Sequence, residues 1–101
     1  MTIDPNKYVD FVRQTTSRPS LDYPTLASRL SELEVRDDCN VSQLLTAALG
    51  ISAEAGEFTE VVKKIFLQGK PYNEDNAFHM KRELGDIMWY VAQACMALDV
   101  T

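Results

Sequence analysis

Two stretches of this sequence carry apolar residues at the period of an α-helix, and that pattern excludes most other architectures. In the first, Leu44, Leu45, Ala48, Ile51, Ala55, Phe58, Val62, Ile65 and Phe66 recur at three and four residues. In the second, Ala77, Met80, Leu84, Ile87, Met88, Val91, Cys95 and Leu98 do the same. Asn40 or Ser42 supplies the first cap, and Gln68-Gly69-Lys70-Pro71 ends that helix. Asn73-Glu74-Asp75-Asn76 is a turn carrying the next cap. The pattern predicts long helices over 41–67 and 76–98. Upstream, Asp4-Pro5 opens a helix over 4–15 with Tyr8, Phe11 and Val12 on one stripe. Thr15 to Ser20 reads as a loop. A further helix runs over 24–34, and Arg36 to Asn40 is a polar connection. Strand alternation is absent. The fold class is all-α, a small helical bundle in one domain over 1–101, with two long antiparallel helices.

The chain has 101 residues, 46% of them apolar, enough for one small core. Its net charge of −5 argues against nucleic acid, which needs a basic stripe. No apolar run reaches the ~18 residues of a membrane span, and Met1 opens no signal peptide. Cys39 and Cys95 lack metal-ligand spacing and read as reduced thiols of a cytoplasmic protein.

Chemistry enters with two acidic pairs, Glu54-Ala55-Gly56-Glu57 and Glu83-Leu84-Gly85-Asp86, one on each long helix. Residues three apart share a helical face. Glu54 and Glu57 lie roughly 70° and 130° from the centre of their apolar stripe at ~100° per residue. Glu83 and Asp86 lie roughly 80° and 140° from theirs, in the same rotational sense. Antiparallel packing turns equal senses toward one side of the shared interface, so the four acids are expected to converge. Gly50 falls on that flank one turn before Glu54 and would leave space for a ligand. Lys64 and Tyr90 fall on the same flank.

Converging carboxylates repel one another unless a cation sits among them. Oxygen donors favour Mg²⁺, with Mn²⁺ as a substitute, over zinc. A di-iron site of the ferritin kind would need E-x-x-H pairs, and neither pair contains histidine. His79, the one histidine, is four residues before Glu83 and reads as structural or solvent-facing. Magnesium held by carboxylates commonly shares its shell with substrate phosphates, so the implied reaction is metal-assisted hydrolysis of a phosphorylated substrate.

The two motifs with their flanks resemble the MazG-like all-α nucleoside triphosphate pyrophosphatases, a superfamily that includes dCTP pyrophosphatases and dimeric dUTPases. Leu44-Leu45-Thr46-Ala47-Ala48-Leu49-Gly50 leads into the first acidic pair, and Lys63-Lys64 and Gln68-Gly69-Lys70-Pro71 follow it. Glu83-Leu84-Gly85-Asp86-Ile87-Met88-Trp89-Tyr90 resembles the family's second metal helix. The resemblance covers about residues 41 to 98. It implies cleavage of a nucleoside triphosphate (dGTP, dCTP or dUTP among the candidates) to the monophosphate and pyrophosphate. It carries Glu54, Glu57, Glu83 and Asp86 over as catalytic Mg²⁺ ligands, with Glu57 the choice for orienting the attacking water. Lys64 and Lys70 become candidates for neutralising the triphosphate, and Trp89 and Tyr90 for contacting base or sugar. The family also implies a homodimer or homotetramer. Its members commonly continue into a further polar helix, whereas this sequence ends at Thr101. That place falls to the N-terminal helices or to another subunit, unless the chain is a shortened form.

Two other functions fit an all-α chain. A non-catalytic helical module binding a nucleotide or a partner would be indifferent to the acids and to Mg²⁺. A histidine phosphotransfer domain would carry its phosphate on His79.

Overall fold

The computed structural model describes residues 2–100, and these contain five helices. They fall into two compact units, one ending at Cys39 and the other beginning at Asn40.

The first unit holds α1 (Pro5–Thr15), α2 (Arg18–Leu21) and α3 (Tyr23–Arg36). Asp4 caps α1, its Oδ1 accepting from the Asn6 and Lys7 amides at 3.0 and 3.3 Å. Pro5 fits because the first turn has no use for its missing N–H. The same logic explains a departure from the sequence reading. Pro19, read there as a loop residue, sits in the first turn of the short α2, where its fixed φ suits a helix start. α2 packs on α3, and Asp22 between them accepts from the Thr25 hydroxyl at 2.8 Å. α3 runs two residues past its expected end and stops where Asp38 turns left-handed (φ 54°). The Asp37 and Cys39 amides then both donate to the Leu33 carbonyl.

The second unit is a hairpin of α4 (Val41–Leu67) and α5 (Glu74–Ala97). Asn40 caps α4 through its Oδ1 and the Gln43 amide at 3.2 Å. Gly69, at φ 78°, ends it, and the Lys70 amide folds back onto the Lys64 carbonyl at 3.0 Å. Asn73 caps α5, accepting from the Asn76 amide at 3.0 Å. That cap starts the helix at Glu74, two residues before the expected position. The helices are antiparallel: Gln43 donates to Gln93 at 2.9 Å near the open end, and Gly50 faces the Tyr90 ring.

The seam between α4 and α5 does not run along the centres of their apolar stripes. Its buried residues are Ala47, Gly50 and the acidic Glu83. Small residues at 47 and 50 let the helices approach on the acid flank. Leu84, Met88 and Val91 on α5, and Leu98 at its C-cap, therefore stay exposed, Met88 by 72%.

Candidate active site

The acids meet where the sequence placed them, on the shared flank of the hairpin, although one stands apart. Glu54 and Glu57 project from α4 and Glu83 from α5, each offering a carboxylate oxygen within 4.8 Å of the other two. Glu83 is buried, Glu54 half-buried and Glu57 exposed, so the cluster opens to solvent on the Glu57 side. Asp86 lies one turn beyond Glu83, half-buried and outside this group of three.

The cluster gathers three carboxylates with little to offset their charge. Glu54 Oε2 and Glu83 Oε2 are both buried, and no donor reaches either. A buried carboxylate oxygen without a partner is costly, and here two of them face a third acid. Protonation of Glu54 would relieve the repulsion in part, because its carboxyl could then donate to Glu83. That hydrogen bond, then burial, then the Glu57 charge push Glu54 up to about 7. Accepting the same hydrogen bond holds Glu83 below the usual carboxylate range against the upward pull of burial, with Arg82 and His79 assisting. Arg82 approaches Glu83 Oε1 only to 3.9 Å and does not neutralise the group. A divalent cation would satisfy both orphaned oxygens at once, and an all-oxygen donor set suits Mg²⁺ or Mn²⁺.

The other residues singled out by sequence fall on either side of the acids. Toward the loop, Lys64 and Lys70 line one cavity of about 180 Å³ together with Val61, Ile65, Asn76 and His79. Away from the loop, Tyr90 covers Gly50. The space that Gly50 was expected to leave for a ligand is filled by that ring, since a Cβ at position 50 would collide with it. Trp89 is exposed and meets Tyr90 edge-on, with ring centroids 5.0 Å apart. His79 and Asn76 were not among the expected site residues. The signal for His79 was present: at four residues before Glu83 it shares that acid's face.

Residues 42–99, more than half of the chain, match the model of the MazG nucleotide pyrophosphohydrolase domain. The chain belongs to this family. The MazG match falls within the α4–α5 unit and contains both acidic pairs. The chain is also 42% identical over 66 residues to the Gene 37 protein of Mycobacterium phage L5. That similarity spans 62% of this chain and 57% of the phage protein, so the chain covers little more than half the length of its relative. No solved structure matches the chain. Among the described residues, no helix of this MazG protein is long and apolar enough to cross a membrane.

Proposed function

We propose that this MazG protein is a Mg²⁺-dependent nucleoside triphosphate pyrophosphohydrolase that releases a nucleoside monophosphate and pyrophosphate. The observation that carries the reading is the pair of buried, unpartnered oxygens on Glu54 and Glu83 within a three-acid cluster. A module that merely bound a partner would have no use for that arrangement. When bound, Mg²⁺ supplies Lewis-acid polarisation of phosphoryl oxygens and lowers the pKa of water. Glu54, Glu57 and Glu83 would hold the metal, with Asp86 one turn beyond Glu83 as a further candidate. Glu57, on the open side of the cluster, orients the attacking water. Lys64 and Lys70 offset the charge of the triphosphate. Trp89 and the free edge of Tyr90 contact the nucleoside.

The assembly belongs to the same proposal. Leu84, Met88 and Val91, with Leu98 at the C-cap, form a stripe along α5 that the hairpin leaves uncovered. Two copies of such a hairpin complete a four-helix arrangement, and we propose a homodimer or homotetramer. Cys39 and Cys95 are free thiols, in keeping with a cytoplasmic setting.

The test is pyrophosphate release from the eight common ribo- and deoxyribonucleoside triphosphates, with and without Mg²⁺. Release of pyrophosphate that requires the metal is expected. Release of orthophosphate alone, or no product from any nucleotide, would sink the proposal.

A further inference from the structure

Resting on the reaction proposed above, we infer that Gln93 reads the base of the nucleotide, presenting an N–H donor that selects bases with a carbonyl at their far edge. Uracil, thymine and guanine carry that carbonyl, whereas cytosine and adenine carry an amino group in its place.

A directed chain of amide groups at the open end of the hairpin carries the inference. The backbone N–H of Gln43 can only donate, and it donates to Asn40 Oδ1 at 3.2 Å. That bond decides which end of the Asn40 amide is oxygen. Asn40 Nδ2 then donates to Gln43 Oε1 at 2.9 Å. Gln43 Nε2 in turn donates across the seam to Gln93 Oε1 at 2.9 Å, with the Met96 sulfur 4.0 Å from the same nitrogen as a weaker acceptor. Reversing any one of the three amides sets donor against donor. Gln93 Oε1 is therefore committed to Gln43, and Gln93 Nε2 meets no acceptor among the described residues. Nor is that nitrogen buried: among the described residues, the buried side-chain polar atoms without a partner are Glu54 Oε2 and Glu83 Oε2. Gln93 thus shows solvent a donor whose identity is fixed, link by link, from a backbone amide.

Position brings this donor to the base. Gln93 lies three residues beyond Tyr90 and four beyond Trp89, so it shares their side of α5. It lies seven residues beyond Asp86, two turns on and about 10 Å along the helix at 1.5 Å per residue. A nucleotide with its α-phosphate at the acids and its nucleoside against Trp89 and Tyr90 extends the far edge of its base toward Gln93. That edge is O4 in uracil and thymine and O6 in guanine, and each would accept from Gln93 Nε2. The amino group of cytosine or adenine would face it donor to donor and leave both unpaired. Gln93 cannot turn its oxygen outward without breaking the link to Gln43. Gln43 and Asn40 are therefore positioning residues, and Gln93 is the residue that touches the base.

Calorimetric titration of the Mg²⁺-loaded protein with dUMP and dCMP reads the preference without turnover, since the two bases are of one size and differ at the far edge. Wild type should bind dUMP at least about tenfold tighter than dCMP, as expected when a donor meets an acceptor in one and a donor in the other. Gln43→Glu supplies the decisive comparison. Its carboxylate can only accept, so Gln93 must turn Nε2 inward and show its oxygen to the base. The preference should then invert toward dCMP, although residue 93 is unchanged; a merely structural role for Gln43 would weaken both ligands alike. Gln93→Glu should give the same inversion with Gln43 intact, which covers the case in which Gln43→Glu does not fold. Equal affinities in wild type, a preference for dCMP, no binding of either, or a preference that survives both substitutions would overturn the inference. If no nucleotide is hydrolysed yet the preference and its inversion are seen, Gln93 keeps its role and the proposed reaction falls. If dUTP and dCTP are hydrolysed alike, the reaction stands and the role of Gln93 falls.

Discussion

Tyr90 lies over Gly50 so closely that even a methyl group at position 50 would overlap its ring. This contact sets how near α4 and α5 approach beside the acids. It also turns the seam away from the apolar stripes and toward Glu54 and Glu83.

Gly50→Ala should therefore destabilise the protein even though alanine favours a helix by up to ~1 kcal/mol. Overpacking of this kind costs about 1–3 kcal/mol. Urea unfolding of Gly50→Ala, Tyr90→Ala and the double variant would measure the coupling. Strictly additive effects would show that the ring does not set the helix spacing.

Glu54→Gln, Glu57→Gln and Glu83→Gln should each abolish most turnover. Loss of a supporting group around a metal ligand already costs 10–100-fold, so loss of a ligand should cost at least about 100-fold. Neutralising Glu54 or Glu57 removes repulsion and should leave the metal-free protein at least as stable as wild type, whereas Glu83→Gln also removes the charge that the fold favours and should not stabilise it. Pyrophosphate-release rates and thermal melting in chelator separate the two effects.

The raised Glu54 predicts a pH dependence of opposite sign to that of a salt-bridged acid. Unfolded, Glu54 titrates near 4.5; folded, it is pushed up to about 7. Between those values the native state holds more protons, so stability falls as pH rises. The stabilisation is fully present below 4.5 and gone above about 7. The lowered Glu83 works the other way and reduces the net slope at its acid end. In chelator, melting temperature should decline across this window. Saturating Mg²⁺ should raise it most at the alkaline end, where the acids are ionised and the metal binds best. A flat Mg²⁺ effect across the window would contradict the assignment of Glu54.

Gly69→Ala should cost about 1 kcal/mol, because a side chain is strained at the left-handed φ that ends α4. It should also shift Lys70 and raise KM for the triphosphate more than it lowers kcat. An unchanged KM would mean that the turn does not place Lys70 at the substrate.

Met88→Glu puts a charge into the exposed stripe of α5 and should dissociate the proposed homodimer or homotetramer. Sedimentation should show a smaller species, with a melting temperature that no longer depends on protein concentration. A wild-type protein already monomeric by sedimentation would remove the reason for the stripe.

Local chemistry made much of this protein legible in its sequence. The bounds of α4 follow from Asn40 as cap and Gly69 as stop, because capping is decided within a few residues. The meeting of Glu54 with Glu83 follows from helical angles once a short loop imposes antiparallel packing. Pro19 shows the limit of local rules, since a proline that breaks a helix interior is at home in a first turn. The tertiary structure alone decided the rest. It filled the space beside Gly50 with Tyr90, left Asp86 outside the group of three, and gathered His79 and Asn76 around Lys64 and Lys70. Such outcomes depend on where two rods of side chains come into contact. A seam displaced by a fraction of a turn from the apolar centre buries one acid and frees another, and no residue's own preference encodes that displacement.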